Sequence, residues 1–354
     1  MFLPLKCIHG YFNLFSYLIK YQIILIYILK KIMQNQKILI IGGSGSLGKK
    51  LIDRYLNNNI IYVYSRDESK HWKISIDYSR NQNLRFIIGD IRDHEKIQQT
   101  LLRINPDTII IASALKHVDI CEHETNECIA TNLMGTKNVL NVVETFQYAL
   151  KVKCVCFVST DKACSPVNIY GMTKAISEIL MIEKAKEVLN IKFVTVRYGN
   201  VLNSRGSIIP TLHDIGTNPR YQHYTITDRR MTRFVMTLDQ SVDLIEHAIT
   251  KAESGDIVIP KLISCKIIDL MEIFSEIYSK EIIDGDLRPG EKMLESLINE
   301  TQAMRLVHGT DGYMYIKPPY KNFVSSEEAM DYNSKLNPLS KEELKIYLQK
   351  LELL

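Results

Sequence analysis

The chain has 354 residues, 46% of them hydrophobic and 24% charged, with a formal charge of +4, the make-up of a globular protein long enough for two lobes. So small a charge, with no cluster of Lys and Arg interleaved with aromatics, argues against a nucleic-acid partner. The seven cysteines form no C-x-x-C pair and no Cys/His ligand pattern, so neither a metal site nor a disulfide framework is implied and the thiols suit a reducing, cytoplasmic compartment.

Residues 11–30, YFNLFSYLIKYQIILIYILK, are about long enough to cross a bilayer, but Asn13, Lys20 and Gln22 burden such a span. No small-residue cleavage site follows, which argues against a secretory signal. Residues 1–32 are read as an extension outside the fold, with Met33 as a start directly before the first strand. A single-span or interfacial anchor is the alternative.

From Lys37 onward, short apolar runs alternate with longer amphipathic segments. KILIIG, IIYVYS, LRFIIG, DTIIIAS, VCFVS and FVTVR read as six strands separated by helices, which predicts an α/β fold with a doubly wound parallel sheet of Rossmann type over residues 33–200. A smaller lobe is expected over residues 201–317, with a segment near 237–255 returning to the first domain, and a tail over 318–354.

The turn after the first strand reads Gly42-Gly43-Ser44-Gly45-Ser46-Leu47-Gly48 and contains both G-x-x-G-x-x-G and G-x-G-x-x-G. At a strand-to-helix junction such glycines let the backbone approach a pyrophosphate that the helix N-terminus stabilises, so a dinucleotide is expected. The second strand ends Tyr64-Ser65-Arg66-Asp67. Ser65 and Arg66 suit a ribose 2′-phosphate, which favours NADP; the other reading makes Arg66 a solvated charge and gives the ribose to Asp67. Asp90 and Ile91, after the third strand, are expected to border the adenine. Ala112, Ala114 and Lys116, after the fourth, are expected beside the nicotinamide, and the neighbouring His117 reads as a helix-start residue.

After the fifth strand comes STDKACSPVNIYGMTK, residues 159–174. Tyr170 and Lys174, four apart, share one face of a helix, where the ammonium can favour the tyrosinate and turn a phenol that titrates near ~10 into a base. Asp161 and Lys162 directly follow a core strand, facing the crevice where open α/β sheets bind ligands, and read there as a catalytic couple rather than a surface ion pair. Beyond the sixth strand the alternation stops. NSRG at 203–206, TDRRMTR at 227–233 and RPGEK at 288–292 present arginines from loops, which suits a diphosphate-bearing substrate.

These segments resemble the extended short-chain dehydrogenase/reductases that modify nucleotide sugars, and most closely the inverting UDP-N-acetylglucosamine 4,6-dehydratases of bacterial polysaccharide pathways. YSRDE, ALKHV, STDKA, PVNIYGMTK, RYGNV, SRGSIIP, TITDRRMTRF and RPGEKM follow that family's order from about Lys37 to Met293, and YNSKLNPLSKEELKIYL resembles its short-form members. Tyr170 stands where long forms and some short forms have Met.

The resemblance implies NADP as cofactor, a UDP-sugar as substrate, and a homo-oligomer in which the long helical stretches 119–150 and 167–189 pair between subunits; the same helical stretches could equally just cover the sheet. It also implies roles. Tyr170 takes the C4 hydroxyl proton, Lys174 holds the nicotinamide ribose, and Thr160 or Ser159 bonds O4. Lys162 removes the C5 proton and Asp161 protonates the departing C6 hydroxyl. Asn200 and Arg205, with Lys116, are expected at the sugar diphosphate, and Arg288 and Glu291 at the uridine end. The alternatives are a nucleotide-sugar 4-epimerase, which needs no Asp-Lys couple, and an NADP-binding sensor without turnover.

Overall fold

A computed structural model describes residues 33–321 and 330–354; the expectations for residues 1–32 lie outside the described residues. The first half alternates through β1 (Lys37–Ile41), α1 (Ser46–Tyr55), β2 (Ile60–Ser65), α2 (Glu68–Asp77), β3 (Leu84–Ile88), α3 (His94–Ile104), β4 (Thr108–Ile111), α4 (Val118–His123), α5 (Thr125–Cys128), α6 (Gly135–Thr145), β5 (Cys154–Val158), α7 (Ile169–Glu187) and β6 (Lys192–Val196). All six expected strands are present and pair in parallel in the order β3-β2-β1-β4-β5-β6. The order reverses between β1 and β4, and a crevice opens there at the carboxyl ends of the strands.

The strands form because their side chains alternate between two apolar layers. Ile38 and Ile40 pack with Leu51, Ile52, Val242 and Ile245, whereas Leu39 and Ile41 pack with Val139, Val143 and Phe193 on the opposite face. A strand apolar on both faces is what a parallel sheet covered by helices on both sides requires. Each such buried aliphatic side chain contributes roughly 1.5–3 kcal/mol relative to exposure.

The stretch 119–150 is not one helix. Glu124 leaves helical geometry between α4 and α5, and a π-helical turn over Ile129–Met134 precedes α6. That turn carries Asn132, which accepts from Leu115 N at 2.8 Å and donates to Leu115 O at 2.9 Å, tying the segment after β4 to the helix layer.

The second half continues with β7 (Asn200–Val201), α8 (Ile208–Thr217), β8 (His223–Ile226), β9 (Thr232–Met236), α9 (Leu238–Lys251), β10 (Ile257–Pro260), β11 (Ile263–Lys266), α10 (Ile267–Tyr278), β12 (Glu281–Asp284), β13 (Ser296–Ile298), α11 (Glu300–Ala303), β14 (Leu306–His308), β15 (Tyr313–Ile316), β16 (Tyr332–Asn333), β17 (Pro338–Leu339) and α12 (Lys341–Lys350). Strand β10 adds to β6 in parallel, and β15 and β14 close that edge antiparallel, so the main sheet has nine strands. Helix α9 packs its Val242, Ile245 and Ala248 with Leu51 and Ile52 of α1. The other elements build a second lobe around a β17-β11-β9-β7 sheet. Its core joins Leu202, Leu212, Tyr224 and Phe274 to Leu344 and Leu348 of α12. Among the described residues no helix is long and apolar enough to cross a membrane.

Candidate active site

The glycine-rich turn lies at the strand-order reversal. Gly42 has φ +87°, and a Cβ there would lie 2.6 Å from Ser113 N. Only glycine lets the turns after β1 and β4 approach so closely. A Cβ on Gly48 would lie 2.1 Å from Gly43 O, so this glycine closes α1 onto the turn. Gly45, the N-cap of α1, supplies no side-chain cap, and the first turn of α1, beginning Ser46-Leu47, has no acidic residue. The amides at this helix start, with Ser44 beside them, form a cradle suited to an anion.

At the end of β2, Ser65 Oγ lies 2.6 Å from His71 Nε2, and Arg66 Nη1 lies 3.7 Å from Asp90 Oδ2. Asp90 is held by Arg92 at 2.7 Å. Asp67 is occupied: its carboxylate caps α2 by accepting from Lys70 N at 3.0 Å and also pairs with the Lys70 ammonium. These bonds to Lys70 hold it below the usual carboxylate range. Ile91 is buried, Ala112 packs against the sheet core, and Ala114 packs against the cluster that contains Tyr170.

The catalytic candidates meet where β5 ends and α7 begins. Asn168 caps α7 by accepting from Gly171 N at 2.7 Å. A Cβ on Gly171 would lie 2.2 Å from Lys162 O, so this glycine lets the start of the helix press against the Asp161–Ala163 turn. Thr160 Oγ1 donates to Asp161 Oδ1 at 2.9 Å, and Lys162 Nζ donates to the same oxygen at 3.0 Å. Asp161 is fully buried, and its Oδ2 has no hydrogen-bond partner. Burial would lower Lys162, but the Asp161 and Glu295 carboxylates more than reverse this and hold it an ammonium.

Tyr170 and Lys174 are both buried on the inner face of α7. Burial pushes Tyr170 up to about 12, while Lys162 and a Thr160 hydrogen bond pull the other way. Lys174 Nζ lies 4.0 Å from the Phe157 ring centroid, and burial lowers it to about 7, with Glu178 and Cys128 opposing. Lys162 is thus a second cation acting on Tyr170, beside the Lys174 to which helical spacing points.

Lys116 Nζ, after β4, donates to Arg205 O of the second lobe at 2.6 Å, and Arg205 N donates to Ser46 Oγ at 3.1 Å, so the 203–206 loop rests on the glycine-rich turn. Asn200 Oδ1 accepts from Lys162 Nζ at 3.2 Å. The 288–292 loop lies against the start of α7: Asn168 Nδ2 donates to Gly290 O at 2.8 Å, and Lys292 Nζ donates to Cys164 O at 2.9 Å. Arg288 is exposed on this loop, where its amide donates to Glu291 Oε2 at 3.4 Å. The 227–233 arginines are otherwise engaged. Arg229 pairs with Asp284 at 2.8 Å, Arg230 pairs with Asp228 at 2.7 Å, and Arg233 is buried. Charge already matched by carboxylates has less to offer a diphosphate.

Two features escaped the sequence reading. Glu295, 2% exposed, brings Oε1 to 3.4 Å from Lys162 Nζ; the available signal was a lone acid inside the apolar run MLESLI. Beneath the site, Ser159 Oγ donates to Glu178 Oε1 at 2.5 Å, and Arg197 holds both Glu178 oxygens. Arg197 directly follows a core strand, where a charge must find a partner.

Comparison with known proteins identifies the family. A family described as polysaccharide biosynthesis protein matches residues 38–317. An inverting UDP-N-acetylglucosamine 4,6-dehydratase of Campylobacter jejuni is 37% identical over 309 residues, covering 85% of this chain and 89% of the relative. A UDP-glucose 4-epimerase of Rickettsia bellii is 36% identical over 281 residues, covering 77% of this chain and 80% of the relative. The solved structure of Pen from Bacillus thuringiensis superposes with a TM-score of 0.83 at 33% identity, covering 91% of this chain and 99% of that one. The dTDP-glucose 4,6-dehydratase DesIV of Streptomyces venezuelae, solved with NAD, shares the fold at a TM-score of 0.62 and 18% identity, covering 73% of this chain and 87% of that one. The resemblance read from the motifs therefore holds, and the chain belongs to the polysaccharide biosynthesis protein family, built on the short-chain dehydrogenase/reductase fold.

Proposed function

We propose that this protein is an NADP-dependent lyase that removes water from UDP-N-acetylglucosamine across C5 and C6 with inversion at C5, giving a UDP-4-keto-6-deoxy-L-hexosamine. The observation that carries this reading is the Asp161–Lys162 couple, joined at 3.0 Å beside Tyr170. An epimerase has no use for such a couple, and that favours dehydration over the activity named for the Rickettsia relatives.

Gly42, Ser44, Gly45, Ser46, Leu47 and Gly48 would hold the cofactor pyrophosphate, Asp90 and Ile91 the adenine, and Ala112, Ala114, Lys116 and Lys174 the nicotinamide end. Asp67 is bound to Lys70, whereas the exposed Arg66 has only the longer 3.7 Å contact with Asp90, which supports a 2′-phosphate at Arg66 and Ser65 and hence NADP. When bound, the nicotinamide would supply a hydride acceptor for C4 and a hydride donor for C6; a C4 ketone acidifies the otherwise inert C5 hydrogen, and a proton added to C5 from the opposite face would invert that centre.

Tyr170 takes the O4 proton, with Thr160 hydrogen-bonded beside it. The resting Asp161 carboxylate and Lys162 ammonium differ from an acid and a base by one proton moved along their 3.0 Å hydrogen bond. In that tautomer the Lys162 amine takes the C5 proton and the Asp161 carboxylic acid protonates the C6 hydroxyl, which leaves as water. Arg205, Asn200 and Lys116 would meet the sugar diphosphate, and Arg288 and Glu291 the uridine.

Met172, Ile176 and Ile179 are exposed on the outer face of α7, beside the exposed Ile120 and Met134. This apolar face supports a homo-oligomer, and the six buried free thiols among the described residues support a cytoplasmic setting. Incubation with UDP-N-acetylglucosamine and mass spectrometry tests the reading: a product lighter by one water is expected, and a product of unchanged mass with altered configuration would favour the epimerase.

A further inference from the structure

Glu295 has no part in the steps above, yet its backbone is clamped in place. Glu295 N donates to Ser334 Oγ at 3.0 Å, and Ser334 N donates to Glu295 O at 2.8 Å. Ser334 is itself fully buried and lies 2.8 Å from the Thr232 hydroxyl. The side chain is thereby aimed at Lys162, with Oε1 at 3.4 Å from Nζ, while Asp161 Oδ1 lies 3.0 Å from the same nitrogen. The other Glu295 oxygen, Oε2, is buried without a hydrogen-bond partner. The other charges facing it are Arg233 of β9 and Lys292 of the preceding loop, each at 3.9 Å. Tyr170 of α7 and Arg197, which Glu178 already pairs, face the cluster from the sheet side.

Glu295 faces three cations, but Lys162 is the nearest of them, at 3.4 Å, and the carboxylate gives up its solvation with one oxygen left without a hydrogen bond. At rest Lys162 already has Asp161 as a closer partner. During dehydration Asp161 does not suffice. In the active tautomer it carries the proton destined for the C6 hydroxyl and is neutral while positive charge develops on Lys162. Glu295 is the carboxylate left facing that charge.

We infer that Glu295 is a positioning residue for dehydration: it fixes Lys162 Nζ in place and is the anion that balances the ammonium formed as Lys162 takes the C5 proton. No bond to Glu295 is made or broken; the C5 proton ends on Lys162 and the Asp161 proton leaves in the water. The inference rests on Lys162 being the C5 base. Preorganised charge of this kind acts on the transition state more than on substrate binding.

The test is the pH profile of water loss from UDP-N-acetylglucosamine by the NADP-loaded enzyme and by Glu295→Gln and Glu295→Asp variants. Removing the negative charge makes it harder to add a proton to the Asp161–Lys162 couple and easier to remove one, so both limbs of the Gln profile move to lower pH by about one unit or more. Its kcat falls ~100-fold with KM within about three-fold, while C4 oxidation still yields reduced cofactor. The Asp variant, whose carboxylate is set back by one methylene, falls between wild type and Gln on both measures. A Gln profile that keeps the wild-type limbs, whatever its amplitude, overturns the inference; should that variant not fold, the Asp profile decides by the same criterion. A wild-type enzyme that does not dehydrate the substrate removes the reading of Lys162 and this inference with it, whereas an active wild type with unmoved variant limbs removes the inference alone.

Discussion

Replacing Lys174 by Met removes a buried amine while keeping an unbranched side chain against Phe157. Burial lowers this lysine from 10.5 to about 7, and the opposing pull of Glu178 and Cys128 is smaller. In the unfolded chain the amine keeps its ordinary affinity, so between pH 7 and 10.5 the unfolded state binds more protons than the folded state. Stability therefore rises with pH across that window, and the penalty is fully present below it. At about 1.36 kcal/mol per pH unit, the buried amine costs the fold ~4 kcal/mol at neutral pH and almost nothing near its unfolded pKa. The contact between Nζ and the Phe157 ring returns at most ~2 kcal/mol. Glu178 keeps its partner in the variant, because Arg197 holds both of its oxygens. Lys174→Met is thus expected to be more stable than wild type by about 2–4 kcal/mol at neutral pH, with the difference shrinking toward zero by pH ~10. Urea unfolding at both pH values, without added nucleotide, measures this. A difference that does not change with pH, or a variant less stable at neutral pH, would refute the reasoning.

Lys162→Met leaves Asp161 and Glu295 buried without their ammonium, which costs about 3–5 kcal/mol of stability; it is expected to abolish water loss while substrate still reduces the bound cofactor, as seen by nicotinamide absorbance. Arg66→Ala is expected to weaken NADP binding by about 10–100-fold and leave NAD binding unchanged, since only the 2′-phosphate is at stake; calorimetry showing equal loss for both would remove the NADP assignment. Gly48→Ala puts a methyl 2.1 Å from Gly43 O, so the turn must shift, and nucleotide binding and melting temperature should both fall; undiminished binding would contradict the cradle.

The parts of this molecule that were legible in the sequence are those in which neighbours along the chain are also neighbours in space. Strands β1, β2, β4, β5 and β6 announced themselves as apolar runs because both their faces are buried, the edge strand β3 did so although Arg85 and Ile88 are exposed, and the turn of Gly42 to Gly48 stood out because close backbone approach admits no side chain. Strands β10, β15 and β14 were missed as extensions of the sheet, since a four-residue run such as IVIP can belong to either lobe. The 119–150 stretch reads as continuous helix because no Gly or Pro marks the break at Glu124 or lies within the π-helical turn over Ile129–Met134. Around the catalytic couple, Asp161 and Lys162 were visible as adjacent letters. Glu295, Asn200 and the Ser334 clamp reach the neighbourhood of Lys162 from 38 or more positions away in the chain, a convergence that only folding creates.

The central claim is that oxidation at C4 is a temporary device for expelling water, so the hydride that leaves C4 must reappear at C6. UDP-N-acetylglucosamine carrying deuterium at C4, turned over by the enzyme and read by fragment-resolved mass spectrometry, tests this directly. The expected product is lighter by one water and carries the deuterium on C6. A product of unchanged mass with deuterium back on C4 would contradict it and leave the epimerase in its place.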